Sequence, residues 1–146
     1  MTGAPALKAG YCTPMLHVAD VARSLRFYTL LGFETQATEG DGGRIGWARA
    51  HCEGGALMFT YSEEPIRPEQ QAVLFYMYTP DLAAFREHLV ANGLEVSPIR
   101  HPPYMQSGEI ALHDPDGYLV LVGHWGPVED DAWEKRQAAK RAGELR

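Results

Sequence analysis

The sequence predicts an α+β fold made of one βαβββ module used twice and followed by a C-terminal helix, and three observations carry that reading. Residues 18–34 (VADVARSLRFYTLLGFE) lie over residues 79–95 (TPDLAAFREHLVANGLE) without a gap at an offset of 61. Asp20 falls on Asp81, Ala22 on Ala83, Gly32 on Gly93 and Glu34 on Glu95, a set of matches at turn and cap positions that indicates duplication. Each copy is preceded by one apolar run of β character and followed by three more, separated by the turns EGDGG, CEGG and DPDG.

Taken in order, residues 12–18 predict the first strand, and Asp20 stands where its carboxylate accepts from the free N–H groups of a helix over 21–31. Leu25, Tyr28 and Leu31 form that helix's apolar stripe. Gly32 then supplies the left-handed residue that ends it. Strands follow at 33–37, 44–50 and 56–61. The second copy repeats the pattern with a strand at 72–78, a helix over 82–92 striped by Leu82, Phe85 and Leu89, Gly93 as its stop, and strands at 95–99, 108–113 and 118–124. A last helix over about 130–142 has Trp133 as its one large apolar anchor, packing on the body or on a second subunit.

The predicted organisation is one domain over 1–126, with module 1 at about 12–61, a polar linker SEEPIRPEQQ at 62–71 and module 2 at about 72–126, then a helical tail over 127–146. In the tail, Lys135, Arg136, Lys140, Arg141 and Arg146 balance Glu129, Asp130, Asp131, Glu134 and Glu144, so the body carries the whole formal charge of −6. An acidic body repels phosphate backbones, which argues against nucleic acid as a partner. No basic patch followed by an apolar run opens the chain and no stretch approaches a membrane span, so the expectation is a cytoplasmic protein. Cys12 and Cys52 lack CxxC spacing and read as reduced, buried fillers. GxSxG, GxGxxG and GxxxxGK are all absent, and the adjacent His51 and Cys52 point to opposite faces of a strand, so no nucleophilic dyad is expected.

The paired strand-Asp-helix openings, SLRFYTLLGFE and DPDGYLVLVGHW together resemble the vicinal oxygen chelate superfamily of glyoxalase I, extradiol dioxygenases, fosfomycin-resistance enzymes and bleomycin-resistance proteins, over roughly residues 12–126. The resemblance implies that each module curls into half of a cup, and that relatives of this kind pair modules across a two-fold interface, hence a homodimer. It also implies four metal-ligand positions, which fall here on Thr13, Met58, Leu74 and Leu121. Leucine offers no donor to a divalent metal, so no metal and no other cofactor is expected.

Strand alternation places Thr13, Met15 and His17 on one side, so His17 is either a ligand contact or an ordinary buried polar group. His51, His88 and His101 read as surface or loop residues, His113 as a local hydrogen-bonding residue of the DPDG turn, and His124 as facing helices or solvent. The resemblance puts Glu109 where metal-free relatives often carry a ligand-facing glutamate, and a buried carboxylate there calls for a cation or a nearby histidine, with His17 the candidate. Met58, Thr60, Tyr76 and Leu121 join Thr13, Met15, Leu74, Tyr78 and Leu119 as the lining of the cup, or simply as core. Trp47, Tyr104 and Met105 stand near its mouth, the last two after the stiff HPP as a lid or as an aromatic plug.

The expected function is metal-independent binding or sequestration of an aromatic or cationic small molecule, through His17, Trp47, Met58, Thr60, Tyr76, Tyr104, Met105, Glu109 and Leu121. The alternatives are a glyoxalase-like lyase or isomerase, or a dioxygenase, with a rearranged divalent-metal site using His17 and Glu109, and an interaction scaffold with a collapsed cup.

Overall fold

A computed structural model describes residues 7–144. Two mixed sheets, of four and three strands, and three α-helices make up the chain, which divides between Ile66 and Arg67 into two compact units. No helix among the described residues is long and apolar enough to cross a membrane.

The first unit contains β1 (Met15–Val18), α1 (Val21–Leu30), β2 (Glu34–Asp41), β3 (Arg44–Cys52) and β4 (Gly55–Tyr61), with sheet order β1-β4-β3-β2. The β1 and β4 strands are parallel and the other pairs antiparallel. Alternation decides which face is core. Leu16, Val18, Ala48, Ala50, Leu57 and Phe59 are buried together with Val21, Leu25 and Tyr28 of α1. Each large side chain so buried contributes about 1.5–3 kcal/mol. Met15, His17, Trp47, Arg49, Met58 and Thr60 take the opposite face.

In the second unit, β5 (Leu74–Thr79), α2 (Leu82–Ala91), β6 (Glu109–His113) and β7 (Leu119–His124) form a sheet of order β5-β7-β6, followed by α3 (Pro127–Glu144). Ile110, Leu112, Val120 and Val122 make the buried face with Leu82 and Leu89.

The caps repeat with the sequence. Asp20 accepts from the N–H of Arg23 and Asp81 from that of Ala84, each at 3.1 Å. Both helices end in a Schellman motif. Gly32 donates to Thr29 and Phe33 to Tyr28 in the first, Gly93 to Val90 and Leu94 to Leu89 in the second. Gly32 and Gly93 have φ of 102° and 85°.

Several boundaries and placements differ from expectation. The first strand begins at Met15 rather than 12, because Pro14 has no N–H, although its carbonyl still accepts from Met58 at 2.8 Å. Cys12 is consequently exposed and Cys52 half-buried at a hairpin end, not the buried fillers predicted. The EGDGG turn shrinks to Gly42 and Gly43, so β2 runs on to Asp41. The segment 95–99 is not a strand. Ser97 donates to Ala111 and Arg100 exchanges both bonds with Glu109, but Pro98 interrupts the ladder between them. The last helix starts at Pro127, earlier than 130, because proline suits its first turn and Glu129 reaches back to accept from the Gly126 N–H at 3.1 Å. Trp133, expected to pack on the body or on a second subunit, is 42% exposed in the single chain. His51, expected at the surface or in a loop, lies on β3 with 42% of its side chain exposed, 3.8 Å from Glu34.

The DPDG turn is clamped from two sides. One Asp114 carboxylate oxygen accepts from the N–H groups of Asp116 and Tyr118, each at 2.9 Å, and the linker's Gln71 donates to the Asp116 carbonyl at 3.3 Å.

Candidate functional site

The non-core face of the three-stranded sheet holds a carboxylate fixed by two phenols. Glu109 opens β6 and is buried, with 8% of its surface exposed. The Tyr76 hydroxyl, from β5, donates to one of its oxygens at 2.6 Å, and the Tyr104 hydroxyl, from the loop after HPP, donates to the other at 2.9 Å. Charge-assisted bonds of this kind are about twice as strong as neutral ones. Within the second unit, these two phenols are the carboxylate's hydrogen-bond partners among the described residues.

Tyr76 is held well above its ordinary pKa, first by burial, then by the hydrogen bond it gives to Glu109 and by that group's charge. Tyr104 is raised mainly by its own bond to Glu109. Both phenols therefore stay protonated as donors while the carboxylate accepts.

Gly123 makes the cluster possible. It pairs with Glu109 on one side and Tyr78 on the other. A Cβ there would meet the Met105 methyl at 2.8 Å, the Met105 sulfur at 3.2 Å and a Tyr76 ring carbon at 3.1 Å. The missing side chain is the space that Met105, 8% exposed, fills beneath its loop. Around this point the rings of Tyr76 and Tyr78 lie 5.3 Å apart and those of Tyr78 and Trp125 lie 6.2 Å apart. Tyr78 and Tyr104 are 61% and 67% exposed, so aromatic surface remains open beside the carboxylate. Leu121 completes the face, beside Tyr76 and Ala111.

Five of the predicted site residues, Tyr76, Tyr104, Met105, Glu109 and Leu121, thus share the second unit's sheet face or the loop against it. The other four share the first unit's sheet. His17, Thr60 and Trp47 form one cross-strand row, and Met58 sits in the next row between Met15 and Arg49. His17 is exposed there, and Trp47 also borders an open depression of about 310 Å³ at the β2–β3 hairpin. A groove of about 400 Å³ lies between residues 93–97 and 111–113 and includes none of the predicted residues.

Sequence reasoning passed over Gly123, Trp125 and Arg49. A glycine inside a strand signals close approach and was available as a clue to Gly123. The remaining histidines are structural or superficial. His124 accepts from the Leu82 N–H and meets Glu129 at 3.2 Å, so it faces the helices as expected, and His101 sits in its loop 2.9 Å from the Gln106 carbonyl.

The four positions that the resemblance implies for metal ligands hold a threonine, a methionine and two leucines. Register confirms that Met58 and Leu121 are equivalent, since Met58 lies beside Met15, Leu121 beside Tyr76, and Met15 and Tyr76 are one repeat apart. Leu74 and Leu121 lack donors, and the Thr13 hydroxyl accepts from Arg49 at 3.2 Å. Among the described residues no three His, Cys, Asp or Glu side chains gather to hold an ion.

Residues 10–122 match the model of the Glyoxalase/Bleomycin resistance protein/Dioxygenase superfamily. Among solved structures, the chain is similar to a bleomycin-binding protein complexed with bleomycin, at 21% identity and TM-score 0.63, covering 81% of this chain and 100% of that one. It is similar to TnmS3, an antibiotic-binding protein from Streptomyces sp. CB03234, at 19% identity and TM-score 0.62, covering 81% and 98%. It is also similar to the fosfomycin resistance protein FosX from Listeria monocytogenes, at 16% identity and TM-score 0.67, covering 84% and 98%. No curated protein matches significantly in sequence. With its repeated modules, its two mixed sheets and a family match spanning most of its length, the chain belongs to the Glyoxalase/Bleomycin resistance protein/Dioxygenase superfamily.

Proposed function

We propose that the protein binds a small aromatic cation without the help of a metal, seating the cationic group against Glu109 and its ring among Tyr76, Tyr78, Tyr104 and Trp125. The observation that carries this reading is a buried carboxylate whose only partners among the described residues are two phenols. No Lys, Arg or His among the described residues neutralises it, so a guest cation supplies the charge the site lacks. Phenol and indole faces attract cations as well. The similarity to a protein that binds bleomycin supports sequestration of a drug-like guest as the biological use.

The rival reading, a lyase, isomerase or dioxygenase with a rearranged metal site, needs further donors beside Glu109, and among the described residues no three His, Cys, Asp or Glu side chains gather to hold an ion. Thermal-shift titration with bleomycin and with benzyltrimethylammonium, alongside elemental analysis of gently purified protein, separates the two. Saturable stabilisation by either cation in metal-free protein supports binding. Stoichiometric iron, nickel, zinc or manganese, with activity lost on chelation, overturns it.

The same reading includes a homodimer. Every residue of β2 is exposed, and Val128 and Trp133 of α3 are 78% and 42% exposed, leaving a sheet edge and a helix uncovered in the single chain. Light scattering at micromolar concentration checks this, and a mass of only 16.2 kDa would count against it.

A further inference from the structure

Arg49 stands on the non-core face of the four-stranded sheet, among thioethers, hydroxyls and rings. Its partner across β4 is Met58, whose own partner on β1 is Met15, and Trp47 and His51 flank it on its own strand, so all five share one face. The guanidinium is fixed from two sides. Its Nε donates to the Gln36 side-chain oxygen at 2.9 Å and its Nη1 to the Thr13 hydroxyl at 3.2 Å. Gln36 reaches it because the β2–β3 register shifts between Thr35 and Ala37, leaving Gln36 in a bulge that turns its side chain toward the face.

Both partners are neutral, so the charge of Arg49 is held in position without being cancelled. The acidic residues of β2 lie in other rows. Glu34 pairs with His51 and Glu39 with Trp47, while Ala37 faces Arg49. Nη2 meets no acceptor among the described residues and is not sealed from solvent.

We infer that Arg49 is an oxyanion-binding site on the first unit's sheet, taking the carboxylate of a small organic acid whose apolar part lies over Met15, Met58 and Trp47. A guanidinium matches a carboxylate in plane and hydrogen-bond geometry, and here its ordering cost falls on folding rather than on binding. A single cation on a chain of formal charge −6 suits a monoanion better than a doubly charged phosphate. The inference uses none of the Glu109 cluster and stands or falls separately from it.

The test is a titration of the full-length, 15N-labelled chain with sodium benzoate, benzyl alcohol and phenyl phosphate, following the arginine side-chain Nε–H resonances and assigning Arg49 by its loss in Arg49→Lys. Benzoate is expected to shift the Arg49 signal saturably and benzyl alcohol to leave it still. Affinity should fall about tenfold or more in Arg49→Gln and severalfold in Arg49→Lys, which keeps the charge but not the planar fork. Arg44→Gln, which removes an exposed cation of the same strand, should retain benzoate affinity. Should Arg49→Gln fail to fold, the wild-type shifts and Arg49→Lys decide. Benzoate shifts that never saturate, equal affinity in Arg49→Lys, or tighter binding of phenyl phosphate than of benzoate would each overturn the assignment.

Discussion

Trp47 and Glu109 occupy the same position of the repeated module. Trp47 faces Thr60, which pairs with His17, and Glu109 faces Gly123, which pairs with Tyr78, and His17 and Tyr78 are one repeat apart. Duplication therefore produced two equivalent rows that diverged in chemistry. One became His-Thr-Trp, and the other Tyr-Gly-Glu with a glycine at its centre. Only the second row buries a carboxylate, which is why the cation site is assigned there.

Glu109→Gln is expected to keep the fold, because the amide oxygen still accepts from one phenol while its NH2 donates to the hydroxyl oxygen of the other, and to weaken binding of benzyltrimethylammonium by about 1.5–3 kcal/mol, the scale of an interaction with a charged group. Tyr76→Phe should weaken it less, since it loosens the carboxylate without removing the charge. Calorimetric titration of the three proteins checks the order, and equal affinities would remove Glu109 from the site.

The two phenols carry a pH signature. Both are raised by Glu109, and a group whose folded pKa lies above its unfolded value stabilises the fold fully below the unfolded value, near 10 for tyrosine. That contribution is lost as pH rises above 10. Phenolate absorbance should show Tyr76 and Tyr104 ionising above the ordinary tyrosine range, and Glu109→Gln should lower both. A single transition unchanged by the substitution would contradict the hydrogen-bonded cluster.

The repeat, the caps and the core faces were legible because they are local. Asp20 and Asp81 cap through their own third neighbour, and Gly32 and Gly93 end helices whatever surrounds them. Glu109, Tyr76 and Tyr104 each stood out as candidate site residues, but their mutual bonds did not. Those depend on the Met105 loop folding back onto β7, a placement set by the void at Gly123 rather than by any nearby pattern. Arg49 escaped notice for a similar reason, since the bulge that brings Gln36 to it is a property of strand register. The segment 95–99 misled because its apolar alternation outweighed Pro98.

Gly117→Val is expected to destabilise the second unit strongly. The glycine has φ of 91°, which costs another residue roughly 1 kcal/mol. A Cβ would also lie 2.5 Å from the Cα of Pro68 and 2.7 Å from its carbonyl oxygen. These are backbone atoms of the linker's short 3₁₀ helix, Pro68–Gln70, so relief requires moving the linker off the DPDG turn. Thermal denaturation should show a loss beyond that of the φ penalty alone, and unchanged stability would mean that the linker does not dock there.

Gly123→Ala tests whether the glycine is what seats the Met105 loop. The added methyl meets the flexible end of Met105 first, at 2.8 Å, and a Tyr76 ring carbon at 3.1 Å. Met105 is buried and cannot swing aside without lifting a loop tied down by the bonds of Met105 to Pro102 and of Gly108 to Met105. Overpacking of this kind costs about 1–3 kcal/mol. The loss should appear as faster amide exchange at the Met105 and Gly108 N–H groups, together with weaker protection of Tyr104. The cause is separable by a double-mutant cycle. In a Met105→Ala background most of the crowding is gone, so Gly123→Ala should cost less there than in the wild type, the remainder belonging to Tyr76. Strictly additive losses would show that Gly123 and Met105 act independently, and the loop's position would then rest on its hydrogen bonds, that of Tyr104 to Glu109 among them, and not on the space at Gly123.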